Sequence, residues 1–158
     1  MKLRNHTGVA SRQRGFSLLE VLVAVLILSI GLLGLAGLQT TSLQMNHSAH
    51  YASQAQFYAQ EIIEAMRANP TAAKQGAYNI GMGSDVPGGS SVADQDLRRW
   101  RQGISTTLPM QGDETGGSVQ LATSADTYRI TVRVAWLDAR WEEDDGDRIR
   151  TMTVRADL

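Results

Sequence analysis

Polar and apolar residues fall along this chain in four blocks. Residues 1–15 are polar and basic. Residues 16–38, FSLLEVLVAVLILSIGLLGLAGL, are almost wholly aliphatic, and Glu20 carries the only charge among them. As a helix rising 1.5 Å per residue, this run of about 23 residues reaches about 34 Å, enough to cross a hydrocarbon core of about 30 Å. A helix is the form expected of a single span, because lipid offers no partner to a backbone N–H or C=O.

The third block, residues 39–69, holds neither proline nor glycine, and Pro70 closes it. Met45, Ala49, Ala52, Ala59, Ile63 and Met66 recur at spacings near three and four, with Ala55, Tyr58 and Ile62 beside them. That period predicts one apolar stripe on a continuing helix. Residues 70–92 are rich in glycine and proline and predict a loop. A short helix is expected over 95–106, capped by Asp94 and stopped by Pro109. Three strands follow. The first covers 118–122. In the second, Tyr128, Ile130, Val132, Val134 and Trp136 alternate with Arg129, Thr131, Arg133 and Ala135. The third covers 149–158, with Met152, Val154 and Ala156 on one face. A long helix followed by three antiparallel strands predicts an α+β fold.

Composition changes the picture in two places. The 158 residues contain no cysteine, which excludes disulfides, a thiol nucleophile and cysteine-ligated metal. Their formal charge of −1 hides an asymmetry. Lys2, Arg4, Arg12 and Arg14 stand in the first block without an acid, so the remainder has 11 basic against 16 acidic residues. Positive charge precedes the apolar run, and the first basic residue after it is Arg67. The positive-inside rule then puts the N-terminus in the cytoplasm and the C-terminal body on the far side. A secretory signal peptide fits less well, since its apolar core runs about 7–15 residues.

Glu20 is the anomaly. A carboxylate inside a bilayer costs on the order of 2.5–3.5 kcal/mol. No lysine or arginine in the run offers a partner, so one is expected from another molecule. A cut before Phe16 would create an amino group one turn from Glu20, and a neighbouring copy, shifted axially, could place that amine on this carboxylate.

The hexapeptide Gly15-Phe16-Ser17-Leu18-Leu19-Glu20, after a basic leader and before a long aliphatic helix, resembles the class III signal of type IV prepilins and pseudopilins. The stretch GFSLLEVLVAVLILSIGLLGLAGLQ resembles in particular the minor pilins of the PilV type, the type IV pilus modification proteins. The resemblance covers residues 1–70. It implies that prepilin peptidase cuts after Gly15 and N-methylates Phe16, and that Glu20 docks the subunit on its neighbours. It divides the chain into a cleaved leader (1–15), a transmembrane and assembly helix (16–38), an amphipathic continuation (39–69) and a globular pilin head (70–158). The fold implied is pilin-like, a long N-terminal helix on a small antiparallel sheet. The function implied is that of a structural subunit, not an enzyme, which assembles or primes a type IV pilus serving adhesion and twitching motility. Its partners would be the major pilin, other minor pilins and a tip adhesin. Before assembly it would sit in the bacterial inner membrane with its C-terminus in the periplasm, and afterwards at the cell surface. A minor pseudopilin of a type II secretion system is the nearest alternative. A bitopic, membrane-anchored binding module is an alternative of another class.

Other chemistry is thin. His47 and His50 lie three apart without an acid within a turn, so solvated polar positions are expected rather than a metal site. With no histidine or cysteine in the head, hydrolytic triads and zinc hydrolysis lack their base. Glu142, Glu143, Asp144, Asp145 and Asp147 do not follow the EF-hand spacing and suggest a solvated connector rather than a calcium loop. Arg98-Arg99-Trp100-Arg101, with Arg129 and Arg133, has the composition of a single-strand nucleic-acid site. A charged helix face with Trp100 in the core is the stronger reading, and no nucleic acid is expected. Gly81-Met82-Gly83 lacks the third glycine of a nucleotide cradle, where Val86 stands. No catalytic, cofactor or metal site is expected.

Overall fold

The helix expected from the aliphatic run begins at a serine. Ser17 precedes the first helical residue, and its Oγ accepts the Glu20 N–H at 3.2 Å, satisfying one of the amides that a helix start leaves without a partner. In a computed structural model that describes residues 15–124, 127–138 and 148–158, helix α1 then runs without a break over Leu18–Ala68. Six shorter elements complete the chain's regular structure among the described residues. They are α2 (Pro70–Lys74), α3 (Val92–Thr107), a single 3₁₀ turn (Gly112–Glu114) and the strands β1 (Gly116–Ser124), β2 (Thr127–Leu137) and β3 (Ile149–Asp157). The strands form one antiparallel sheet in the order β1-β2-β3. This is the expected α+β, pilin-like arrangement. Packing divides the chain into two units, one ending at Ser42 and the other covering Leu43–Leu158.

In the second unit, the last turns of α1 bury Ala55, Ala59, Ile62, Ile63 and Met66 against the head. The stripe is shorter than its periodicity suggested. Met45 and Ala49 are exposed, Tyr51 and Ala52 pack against the core only partly buried, and full burial begins at Ala55. The other wall of the core is the β2 row Ile130, Val132, Val134 and Trp136, buried as the alternation required, while Arg129 and Arg133 point outward. Met152, Val154 and Ala156 of β3 are half-buried on the same side.

Helix α3 fills the space between. Trp100 is buried, and its indole N–H donates to the Tyr58 carbonyl of α1 at 2.8 Å. Two glycines permit this packing. A Cβ on Gly117 would lie 2.4 Å from the Trp100 ring and 2.8 Å from Ile104, and one on Gly103 would lie 2.7 Å from the Tyr58 ring. The Tyr58 hydroxyl in turn meets Thr107 Oγ1 at 2.7 Å.

Two local expectations need correction. The cap of α3 is Ser91, not Asp94. Ser91 Oγ accepts the Asp94 N–H at 3.1 Å, and the Asp94 carboxylate accepts the Ser91 N–H at 3.1 Å, a reciprocal capping box that starts the helix at Val92. Residues 70–92 are not loop throughout. Pro70 opens α2, where its missing N–H costs nothing. Ile80 then exchanges two backbone bonds with Val119, of 3.0 and 2.9 Å. The segment from 81 to 89 is held by arginine. Arg98 donates to the carbonyls of Pro87 (2.6 Å) and Gly89 (2.7 Å), and Arg101 to those of Gly81 (2.6 Å) and Ser84 (3.2 Å). The acidic connector containing Glu142–Asp147 lies outside the described residues, as does most of the leader.

Candidate functional site

The residues singled out by sequence meet at the start of α1. Gly15 and Phe16 precede the helix, and the Phe16 side chain is 82% exposed. Ser17 anchors the first turn through its Oγ and through its carbonyl, which accepts from Glu20 (3.1 Å) and Val21 (3.3 Å). Glu20 therefore sits in the first turn, where a negative charge is favoured by the helix dipole. Phe16, Glu20, Val21, Ala24, Val25 and Leu28 line a groove of about 440 Å³ along the helix surface. The small side chain of Ala24, one turn beyond Glu20, leaves this groove open. Ser17 was the residue missed in the sequence, although Ser-x-x-Glu at the head of an apolar run is the recognised signal of a capping pair.

Beyond the first turn, the first unit has no buried face. Leu22, Val23, Val25, Leu26, Ile27 and Leu28 are each at least 46% exposed, so consecutive positions around the full circumference lack protein cover. A helix apolar on all sides is stable only where something apolar surrounds it. Its most apolar 18-residue window has mean hydropathy 2.8, long and apolar enough to cross a membrane. Its polar side chains turn inward on the backbone. Ser29 Oγ donates to the Val25 carbonyl at 2.7 Å and Thr40 Oγ1 to the Ala36 carbonyl at 3.0 Å. Hydroxyls bonded in this way can enter lipid at little cost, which leaves Glu20 as the one charged group in the run.

The alternative chemistries do not gather into a site. His47 and His50 are exposed, and no group of three or more potential metal ligands occurs among the described residues. The calcium reading of the acidic connector falls outside the described residues. Trp100 of the basic-aromatic cluster is buried, so it offers no face for a base to stack on. Arg98 and Arg101 are committed to loop carbonyls, Arg99 lies 3.9 Å from Asp96, and Arg129 bonds Asp157 at 3.1 Å. Burial lowers the Arg101 guanidinium from its ordinary value, consistent with a structural clamp. Tyr78 is perturbed among the described acids. Its buried hydroxyl donates to Asp96 at 2.8 Å and accepts from Asn69 at 3.4 Å, and desolvation pushes it up to about 12.

An exposed apolar helix that starts at a capped Gly-Phe-Ser-x-x-Glu turn and is followed by a small α+β head is a pilin-like arrangement. The family described as the prokaryotic N-terminal methylation motif matches residues 10–36. That match supports a type IV pilin-like protein, a pilin or pseudopilin precursor whose signal implies processing by prepilin peptidase, and it agrees with an inner-membrane anchor. No curated protein and no solved structure matches the chain.

Proposed function

We propose that this chain is a minor pilin, a structural subunit without catalysis of its own. In this reading prepilin peptidase cuts between Gly15 and Phe16 and methylates the new amino group. The body stands in the periplasm until the subunit is extracted into a type IV pilus with the major pilin, other minor pilins and a tip adhesin. There it serves adhesion and twitching motility. The order of parts supports the division into leader (1–15), assembly helix (16–38), continuation (39–69) and head (70–158). The PilV-like character of the aliphatic stretch and the size of the head favour a pilus over a type II secretion pseudopilus.

One observation carries the proposal. The aliphatic stretch of α1 over residues 18–38, uncovered on every side, bears one acid, on the same face as Phe16 and one turn from it. The mechanism is exchange of environment. In lipid, Glu20 has solvation neither from water nor from a counter-ion. In a helical bundle of subunits staggered along a common axis, the amino terminus of one chain reaches the Glu20 carboxylate of the next. The aliphatic residues then trade lipid for one another at little net cost. A contact of this kind is heterologous and does not close, so it propagates as a filament.

Mass spectrometry of the N-terminus after membrane extraction tests the first step. Methylated Phe16 is expected, and an intact Met1 would overturn the reading. Glu20→Ala tests the second. The variant should be cut normally yet recovered from surface fibres at least 10-fold less than wild type. Undiminished recovery would rule out the role assigned to the carboxylate.

A further inference from the structure

The two edges of the sheet are treated differently. The bonds from Leu158 N to the Tyr128 carbonyl and from Asp138 N to the Arg148 carbonyl continue the β2–β3 ladder beyond its ends. They show which residues of β3 exchange bonds with β2: those of even number. The backbone groups of Ile149, Thr151, Thr153, Arg155 and Asp157 therefore point away from the sheet. By the same alternation, the outward residues of β1 are Gly117, Val119, Leu121 and Thr123. That edge is covered at its centre, since Val119 bonds Ile80 in both directions and the Leu121 N–H donates to Asn79 Oδ1 at 2.8 Å. No described residue bonds the outward backbone groups of β3.

Two further features lie along this open edge. On its core side Met152, Val154 and Ala156 remain half-buried, and a groove of about 440 Å³ is lined by Val154, Arg155 and Ala156 and, from α1, by Gln60, Ile63 and the paired Glu64 and Arg67. On its outer side Arg155 is exposed and makes no ion pair or hydrogen bond with a described residue. Arg133, two residues along the face on the neighbouring strand, is also unpaired among the described residues and stands within about 7–8 Å by the diagonal spacing of a sheet.

We propose that the outer edge of β3 receives an extended strand from a different subunit. That strand would carry apolar residues toward Val154 and Ala156 and a carboxylate beside Arg155. The inference rests on the pilin reading above. Antiparallel pairing with the β3 edge of a second copy of this chain does not fit. Two β3 edges paired antiparallel are related by an axis normal to the sheet, so the packed turns of α1 would cross the joint sheet in opposite directions. Subunits joined by a heterologous, non-closing contact share a direction. A copy related by translation would have to offer its β1 edge, which Ile80 and Asn79 already cover. A heterotypic strand meets neither obstacle. It extends the ladder, fills the groove and neutralises Arg155, which is recognition by strand addition with side-chain pockets supplying specificity.

Hydrogen exchange read by mass spectrometry tests this on the full-length chain, free in detergent and in isolated fibres. The amides of Thr151, Thr153 and Arg155 should exchange at least 10-fold more slowly in fibres, while that of Thr123 on the opposite edge should not change. Equal exchange of the β3 amides in the two states would overturn the proposal. Thr153→Pro removes an outward N–H at an edge position where proline is tolerated, and it should lower incorporation into fibres at least 10-fold. Thr123→Pro should not. Arg155→Glu should act like Thr153→Pro and Arg155→Lys like wild type, and the reverse ranking would exclude the carboxylate partner. A wild-type chain that is processed and incorporated without β3 protection defeats this inference alone. One that keeps its leader defeats the pilin reading and this inference with it.

Discussion

The two units of this chain use apolar residues in opposite ways. In the unit ending at Ser42, large aliphatic side chains lie uncovered around the whole helix, and the structure within the chain amounts to backbone bonds, a serine cap and hydroxyls folded back on carbonyls. In the unit Leu43–Leu158, apolar residues are buried around Trp100, Tyr78 and the β2 row. The head encloses an apolar core of its own, whereas the aliphatic stretch of the stem has no protein cover. A substitution should therefore be felt as unfolding in the head and as failed assembly in the stem.

The strongest way to sharpen that contrast is Trp100→Ala. It leaves a large cavity under β1 and removes the bond to Tyr58, so the head should lose about 3–5 kcal/mol in chemical denaturation of the detergent-held chain. Retention of wild-type stability would mean that Trp100 does not organise the core. Arg101→Ala should cost less, about 1–2 kcal/mol, because it unties the Gly81 and Ser84 carbonyls from α3 without opening the core. Faster proteolysis near residues 81–89 is the accompanying sign. Ser91→Ala removes the capping box of α3 and should cost about 1 kcal/mol in the same assay.

A pH titration separates the units without a cavity. The Tyr78 hydroxyl ionises near 10 when unfolded and at about 12 in the head, so folding favours its protonated form. Its contribution should be intact below pH 10 and should fall away as pH rises through 12. Tyr78→Phe should flatten that alkaline decline, and an unchanged slope would assign it to other groups. The smallest effect is expected in the stem. Leu26→Ala, at a position 61% exposed, should change head stability by less than about 0.5 kcal/mol. A larger loss would mean that the stem supports the head.

What could be read in advance followed the same division. Period and composition were enough for α1, because an aliphatic run long enough to cross a bilayer, broken only by Gly31, Gly34 and Gly37, has few alternatives to a helix. The alternation from Tyr128 to Trp136 likewise announced β2 and its buried face. Ser91 was overlooked in favour of Asp94 because the two cap reciprocally, and either residue alone carries half of the signal. The buried segment of the amphipathic stripe was overestimated, since Met45 and Ala49 have the right period but stay exposed, and full burial begins only at Ala55. Gly103 and Gly117 looked like any other glycines.

The sequence by itself determined the stem, its one acid and the Gly-Phe junction before it. These depend on local pattern and on a solvent whose properties are uniform along the helix. Only the tertiary structure decided which edge of the sheet is covered, which arginines are spent on loop carbonyls and which stay unpaired. Those outcomes depend on residues far apart in the chain, such as Asn79 with Leu121 or Arg101 with Gly81, being brought within bonding distance.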